Sequence, residues 1–270
     1  MLLKTGGRRK GTRAVVERQL YEDEGISVDP TKYLDLREVR VRRLPVHHVV
    51  KDNFIDPNLY WELVRSFPEC SKNSGPTGFS MFLGDKDYDA LIKSSESWRL
   101  LYEMTQSQMF IKACVAQFRE TFIECGCKID LDSVRFVPYL ESREDKERRF
   151  ISDVKHEMYE IFVRPDILQG HVGYSRSVHL DHRRRLMTLL VYLCDADENG
   201  MEGGDLVLVS KEKSLGLSGE RAIRPAHNRM VAFACSNASH HRVTNIIRQN
   251  APRNFLQITL SSSVDIWPDT

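Results

Sequence analysis

The chain has 270 residues, of which 41% are hydrophobic and 29% charged, and its formal net charge is +1. This composition is typical of a folded globular protein, and the length allows one large domain or two small ones. A net charge so close to zero gives no general electrostatic reason to bind nucleic acid or a membrane surface, so we expect neither as a partner.

The start of the chain and the cysteines indicate a reducing, cytoplasmic location. The first residues, MLLKTGGRRKGTRAVVERQ, lack the apolar core of a secretory signal, and no apolar run approaches the roughly 20 residues that span a bilayer. Six scattered cysteines contain no CxxC pair. We therefore expect free thiols in a cytoplasmic protein.

The first half of the chain predicts a polar arm followed by helices. Residues 1–36 are polar and charged, and we interpret them as an N-terminal arm. Asp56 and Pro57 suit the N-cap and first position of a helix that should end at Pro68. A second helix is expected from about Thr105 to Cys125, because apolar residues recur every three or four positions there.

From residue 131 onward, short runs rich in branched and aromatic residues predict strands. The predicted strands are Val134–Leu140, Met158–Val163, Val178–Asp181, Met187–Leu193, Asp205–Val209, Met230–Ala234, His241–Ile246 and Phe255–Ser262. Eight short strands favour a double-sheet jelly roll or a related barrel. We expect one α+β domain over residues 37–270, with a helical part at about 46–130 and a β core at about 131–267.

One histidine and one carboxylate are spaced for a shared metal. In SVHLDHRRRLMTLLVYL, which begins at Ser177, the residues His179 and Asp181 are two apart. Side chains two apart on a strand point to the same face. A third ligand could come from His240 or His241, which follow an apolar strand and a polar turn. Two histidines and a carboxylate with open positions form the facial triad of non-haem Fe(II) oxygenases.

An arginine lies where a dicarboxylate cosubstrate would need one. Arg253 opens the last strand in APRNFLQITLS, twelve residues beyond His241. A guanidinium can bind a carboxylate through two hydrogen bonds. Arg248 is the alternative for this role.

Several motifs in this order resemble one known family. HLD, TLLVYL, EGGDLVLV, MVAFACSNASHHRV and PRNFLQITLS, together with the entry VVKDNFIDPNLYWELVRSFP, are similar to the Fe(II)/2-oxoglutarate-dependent oxygenases, in their prolyl-4-hydroxylase-like branch. The resemblance covers about residues 46–267. It implies a double-stranded β-helix, in agreement with the jelly roll that the strands predict.

The resemblance also implies roles for single residues. It favours His241 over His240, because the family's last metal ligand is followed by one residue and a valine. It places Tyr192, and less securely Thr188, beside the far carboxylate of 2-oxoglutarate. The sequence departs from a common pattern at Phe255, where the family often has a hydroxyl group. The carboxylate of Asp181 argues for hydroxylation, since halogenating members have a small residue there.

These features predict an Fe(II)- and 2-oxoglutarate-dependent dioxygenase with O2 as oxidant. The expected reaction is hydroxylation of an unactivated C–H bond in a small molecule, namely an amino acid, a natural product or a sugar derivative, with release of succinate and CO2. Hydroxylation of a protein side chain is the alternative. A non-catalytic or cupin-like binding module is a third class, against which Arg253 and Tyr192 argue.

Four arginines surround the HLD motif and allow two interpretations. Arg176 precedes the motif, and Arg183, Arg184 and Arg185 follow it. Runs of charge usually face solvent. The other interpretation is that one or two of these side chains hold an anionic group of the substrate near the metal.

Overall fold

The computed structural model describes residues 28–69, 74–75, 77–137, 160–210, 219–262 and 264–268. A 3-10 turn at Pro30–Lys32 precedes helices α1 (Pro57–Arg65), α2 (Lys86–Ser94), α3 (Glu96–Thr105) and α4 (Gln108–Glu124). The strands are β1 (His48–Lys51), β2 (Ser74–Gly75), β3 (Gly78–Met81), β4 (Arg135–Phe136), β5 (Glu160–Gly170), β6 (Arg176–His179), β7 (Arg185–Tyr192), β8 (Leu206–Val209), β9 (Glu220–Ile223), β10 (Met230–Ala234), β11 (His240–Val243) and β12 (Arg253–Ser261).

Two sheets carry the fold. The larger has the order β1-β10-β7-β12-β5-β3-β2, with β4 joined parallel to β5, and the smaller has the order β6-β11-β8-β9. All other strand pairs are antiparallel. This is the predicted double-stranded β-helix, flanked by helices.

Alternation along the central strands of the larger sheet separates two layers of core. On β10, Met230, Ala232 and Ala234 pack toward the helices, whereas Val231 and Phe233 face the smaller sheet. The strand is buried on both faces, which explains the continuous apolar run MVAFA. The layer between the two sheets is smaller, and the functional side chains described below lie at one end of it.

The predicted helices form, with shifted ends. Asp56 caps α1 by accepting hydrogen bonds from the amides of Asn58 and Leu59. The helix predicted from about Thr105 to Cys125 is α4, which begins at Gln108 after Ser107, whose hydroxyl accepts from the amide of Phe110. The cap at Ser107 therefore starts α4 three residues later than predicted, and α2 and α3 were not predicted from the sequence.

Most differences in the strands concern their ends. The strand predicted at Met158–Val163 begins at Glu160 and continues to Gly170, passing through Pro165 where, among the described residues, β12 alone pairs with it. Proline is tolerated at such an edge because it has no amide hydrogen to donate. Part of the strand predicted at Val134–Leu140 lies outside the described residues. The sequence missed β1, β2, β3 and β9, which are only two to four residues long.

Three further predictions can be compared with the described residues. The packed fold begins before residue 37, the predicted start of the domain, because Leu34 is already buried in the core. Cys114, Cys125, Cys127, Cys194 and Cys235 are free thiols, as expected. None of the helices in the described ranges combines the length and the apolar character needed to cross a membrane.

Candidate metal and cosubstrate site

The two strands β6 and β11 bring the predicted metal ligands together. His179 at the end of β6 lies directly opposite His241 on β11, and Asp181 follows β6 by two residues. One ligand atom from each side chain lies within 4.8 Å of the other two. Val178 and Leu180, which alternate with these ligands, are exposed. The predicted same-face placement of His179 and Asp181 is therefore present in the fold.

Both imidazole rings are held by the backbone through Nδ1. Nδ1 of His179 lies 2.8 Å from the carbonyl oxygen of Ser177, and Nδ1 of His241 lies 3.1 Å from that of Ser239. Since a carbonyl can only accept, Nδ1 carries the proton in each ring. Nε2 is then the free lone pair, and such outer contacts typically orient histidine ligands toward a metal.

The carboxylate of Asp181 is held by three donors. Arg185 donates to Oδ1 at 2.6 Å, while Thr188 and Cys235 donate to Oδ2 at 2.9 and 3.3 Å. Burial alone would raise the pKa of Asp181, but Arg185, His241 and the Thr188 hydroxyl outweigh it and hold this pKa below its usual value. Asp181 is therefore ionised, as a metal ligand must be.

His241 is the histidine that the fold presents to the site. It is buried, and burial lowers its pKa even though Asp181 opposes that effect, so that the ring is neutral at physiological pH. His241 lines the cavity described next, whereas His240 is not among the lining residues. The placement agrees with the choice that the resemblance favoured.

A cavity of about 340 Å³ lies between the two sheets and has the three ligands in its wall. Its lining combines apolar side chains with a few polar groups, a combination common in small-molecule sites. The lining residues are Leu168, Tyr174, Arg176, Ser177, His179, Asp181, Arg185, Thr188, Leu190, Leu206, Phe233, His241, Val243, Arg253, Phe255 and Gln257.

Arg253 is a completely buried guanidinium in this cavity. Its Nε donates to the carbonyl oxygen of Gly204 at 2.8 Å, and its Nη2 donates to the hydroxyl of Tyr192 at 3.3 Å. The guanidinium carbon lies 4.3 Å from the ring centre of Phe255. Nη1, in contrast, is buried and has no hydrogen-bond partner among the residues that the structure describes.

The unpaired Nη1 and the metal ligands fit the groups that the resemblance implies. Burying a cation with one unpaired donor destabilises the fold, and a carboxylate in the cavity would accept the missing hydrogen bond. His179, Asp181 and His241 would hold Fe(II), and Arg253 would bind the far carboxylate of 2-oxoglutarate. The alternative, Arg248, is exposed and pairs with Glu202 in an isolated bridge away from the cavity.

Two of the predicted cosubstrate residues have contacts other than the expected ones. The Tyr192 hydroxyl accepts a hydrogen bond from Arg253, and Tyr192 is not among the residues that line the cavity. Thr188 does line the cavity, but its hydroxyl donates to Asp181. Both side chains therefore position a charged group that would contact a ligand.

The four arginines near HLD have different surroundings. Arg183 donates to the carbonyl oxygen of Trp267 at 2.9 Å, and the exposed Arg184 lies 3.7 Å from Asp265, so neither side chain is in the cavity lining. Arg185 forms an ion pair with Asp181. Arg176 lines the cavity, as does Arg185.

Several side chains of the site were given no role in the sequence analysis. Phe255 replaces the hydroxyl residue of the common pattern, and its ring stacks on Arg253 instead. Cys235 directly follows β10 and Gln257 lies in β12, and the direction of their side chains brings both to the site. Alternation from Phe233 and Phe255, respectively, could have indicated that direction. Tyr174 lies before β6, and we find no sequence signal for it.

Comparison with known proteins agrees with this geometry. Residues 166–258 match the family model of the 2OG-Fe(II) oxygenase superfamily. No significant match was found among curated proteins.

Three similar solved structures are distant in sequence from this chain. A prolyl 4-hydroxylase of Phytophthora capsici has a TM-score of 0.47 at 17% identity, covering 80% of this chain and 58% of that one, less than two thirds of its length. A Pseudomonas putida prolyl-4-hydroxylase has a TM-score of 0.43 at 12% identity, covering 80% and 91%. A Trichoplax adhaerens prolyl hydroxylase, in complex with a peptide fragment of hypoxia inducible factor, has a TM-score of 0.40 at 14% identity, covering 79% and 83%.

The matched segment contains His179, Asp181, His241 and Arg253, the residues on which the metal and cosubstrate site depends. In this segment the chain is similar to the 2OG-Fe(II) oxygenase superfamily.

Proposed function

We propose that this protein is an Fe(II)- and 2-oxoglutarate-dependent dioxygenase that hydroxylates an unactivated C–H bond of a small molecule. The substrate class comprises amino acids, natural products and sugar derivatives, and the by-products are succinate and CO2. The observation that carries the proposal is the unpaired Nη1 of Arg253, in the same cavity as the His–Asp–His set. A metal-binding module without a dicarboxylate cosubstrate would have no use for this buried charge.

The chain supplies positioning and charge, while the bound groups supply the oxidising chemistry. When bound, iron and 2-oxoglutarate couple the oxidation of the ketoacid to succinate and CO2 with insertion of an oxygen atom into the substrate. His179, Asp181 and His241 would hold the metal as a set of two histidines and one carboxylate. Arg253 would bind the far carboxylate of the cosubstrate in the cavity that the metal ligands also line.

The apolar lining keeps water away from this chemistry. Leu190, Leu206, Phe233 and Phe255 line the cavity beside the polar groups and are almost completely buried. A dry site strengthens the charge pairing of Arg253 and limits side reactions of the oxidant. The volume of about 340 Å³ must hold the cosubstrate as well, which favours a small substrate.

Succinate formation from 2-oxoglutarate tests the proposal. The purified protein would be assayed with and without Fe(II), against amino acids, sugar derivatives, natural products and proline-containing peptides. We expect Fe(II)-dependent succinate formation that a small molecule stimulates, and its loss in Asp181→Ala. The matched control is Arg184→Ala, because this exposed side chain is outside the cavity. Absence of Fe(II)-dependent succinate in every condition would contradict the proposal, and stimulation by peptides alone would favour the protein-hydroxylase alternative.

A further inference from the structure

A bulge in β6 turns Arg176 toward the cavity. His241 lies opposite His179, and two residues along β11, Val243 lies opposite Arg176, which is three residues from His179. Strand β6 therefore has one extra residue. In a regular strand, side chains three apart point to opposite faces. The extra residue of a bulge re-aims a side chain, and Arg176 lines the cavity together with His179 and Val243.

Arg176 differs from the other two arginines of the cavity in its contacts. Arg185 is paired with Asp181, and Arg253 is held by Gly204 and Tyr192. Within the part of the chain that the structure describes, the guanidinium of Arg176 has no carboxylate within ion-pair distance. Its contact is with the ring of Tyr174, whose centre lies 5.6 Å from the guanidinium carbon. This stacking leaves the hydrogen-bond donors of Arg176 available.

The side chains that line the cavity carry more positive than negative charge. Three arginines face the cavity against the single carboxylate of Asp181, a surplus of two positive charges. The histidines bind a metal in the neutral form. The two charges of Fe(II) and those of a 2-oxoglutarate dianion cancel. A second anionic ligand would therefore be favoured even after the cosubstrate has bound.

We propose that Arg176 binds an anionic group of the primary substrate, a carboxylate or a phosphate, and thereby selects acidic small molecules. This inference rests on the proposed function, since it assumes that the cosubstrate occupies Arg253. The planar fork of the guanidinium matches the two oxygens of either anion. Arg176 lies on the same strand as His179, so an anion bound there would place the rest of a small substrate beside the metal.

Binding of matched anionic and neutral compounds tests the role of Arg176. The probes are N-acetyl amino acids with their primary amides, and sugar phosphates with the parent sugars. Each would be titrated by calorimetry, under argon, into protein loaded with Fe(II) and 2-oxoglutarate. The variants are Arg176→Ala and Arg176→Lys, with Arg184→Ala as the matched control. Titration of 2-oxoglutarate itself would check that each variant still binds the cosubstrate.

We expect at least one anionic probe to bind the parent about 10- to 100-fold more tightly than its neutral partner, the range for a hydrogen-bonded charge pair. Arg176→Ala should abolish that preference, Arg176→Lys should keep part of it, and Arg184→Ala should keep all of it. Comparison of the N-acetyl amino acids with the sugar phosphates identifies whether a carboxylate or a phosphate is bound.

Two results would overturn the assignment of Arg176: no anionic probe binds the parent more tightly than its neutral partner, or Arg176→Ala retains the parent's preference. Either result leaves the proposed function standing if the parent forms succinate in an Fe(II)-dependent way. A parent that forms none contradicts the proposed function itself, whatever the calorimetry shows.

Discussion

A buried guanidinium with one unpaired donor destabilises a fold unless a ligand completes it. Arg253 is in this position, with Nε and Nη2 held by the protein and Nη1 unpaired among the described residues. At the scale of single residues, this contrast between paired and unpaired atoms is the strongest indication of a ligand.

We predict that Arg253→Ala weakens 2-oxoglutarate binding while Fe(II) still binds. Loss of a buried charge pair costs about 2–5 kcal/mol, which corresponds to an increase of about 30-fold or more in Kd. Anaerobic titration of 2-oxoglutarate into the Fe(II)-loaded protein measures it. Arg248→Ala is the control, because Arg248 is exposed. An unchanged Kd in Arg253→Ala, or a large change in Arg248→Ala, would contradict the assignment.

The neighbouring histidines provide a second prediction at this scale. His241→Ala should weaken Fe(II) binding by more than about 100-fold. Replacing a residue that only supports a metal ligand typically weakens metal binding by about 10- to 100-fold, and loss of a ligand itself should exceed that. His240→Ala should bind the metal nearly as the parent does, since His240 does not line the cavity. Metal titration by calorimetry compares the two variants. The opposite pattern would assign the metal to His240.

At the scale of elements, the Gly203–Gly204 turn before β8 positions a backbone carbonyl oxygen that contacts Arg253. The carbonyl oxygen of Gly204 accepts from Nε of Arg253. Gly203 has a φ of +82°, and a Cβ at this position would overlap the carbonyl oxygen of Asn245. A glycine is therefore required here both for its conformation and for space.

We predict that Gly203→Ala destabilises the protein more than Gly126→Ala does. Gly126 has a similar φ of +72°, but an added Cβ would meet only the ring of Pro268, at 3.7 Å. The left-handed conformation costs about 1–2 kcal/mol in both variants, and crowding adds about 1–3 kcal/mol for Gly203→Ala. Urea denaturation measures the free energies of unfolding. Equal losses in the two variants would show that crowding at Gly203 is relieved by a small backbone shift.

At the scale of the whole molecule, the site ligands come from both sheets. His179 and His241 belong to the smaller sheet, and Arg253 belongs to the larger. Ligands that bridge the sheets should therefore stabilise the complete fold, because they bind the folded state and not the unfolded chain.

We predict that Fe(II) and 2-oxoglutarate together raise the melting temperature, and that removal of the metal by a chelator reverses the rise. At a ligand concentration of 100 times Kd the stabilisation is about 2.7 kcal/mol, or several degrees for a domain of this size. Differential scanning calorimetry under argon measures it. Asp181→Ala should show no such rise, and a rise as large as that of the parent would exclude Asp181 as a ligand.

Local patterns in the sequence were sufficient to predict a large part of the fold and of the site. Alternation placed His179 and Asp181 on one face, and the start of α1 followed from Asp56 and Pro57. These predictions succeed because spacing and capping depend on neighbouring residues. Helices α2 and α3 were missed, and they lack the side-chain N-cap hydrogen bond that marks the start of α1 and α4.

The sequence by itself determined the chemistry that this protein can use: the metal-binding residue types, their order along the chain and the arginine that opens the last strand. Only the tertiary structure decided which groups are paired. Arg185 holds Asp181, Arg183 and Arg184 lie outside the cavity, and a bulge turns Arg176 into it. The physical reason is that these outcomes depend on the register between strands distant in sequence, which a local pattern does not encode.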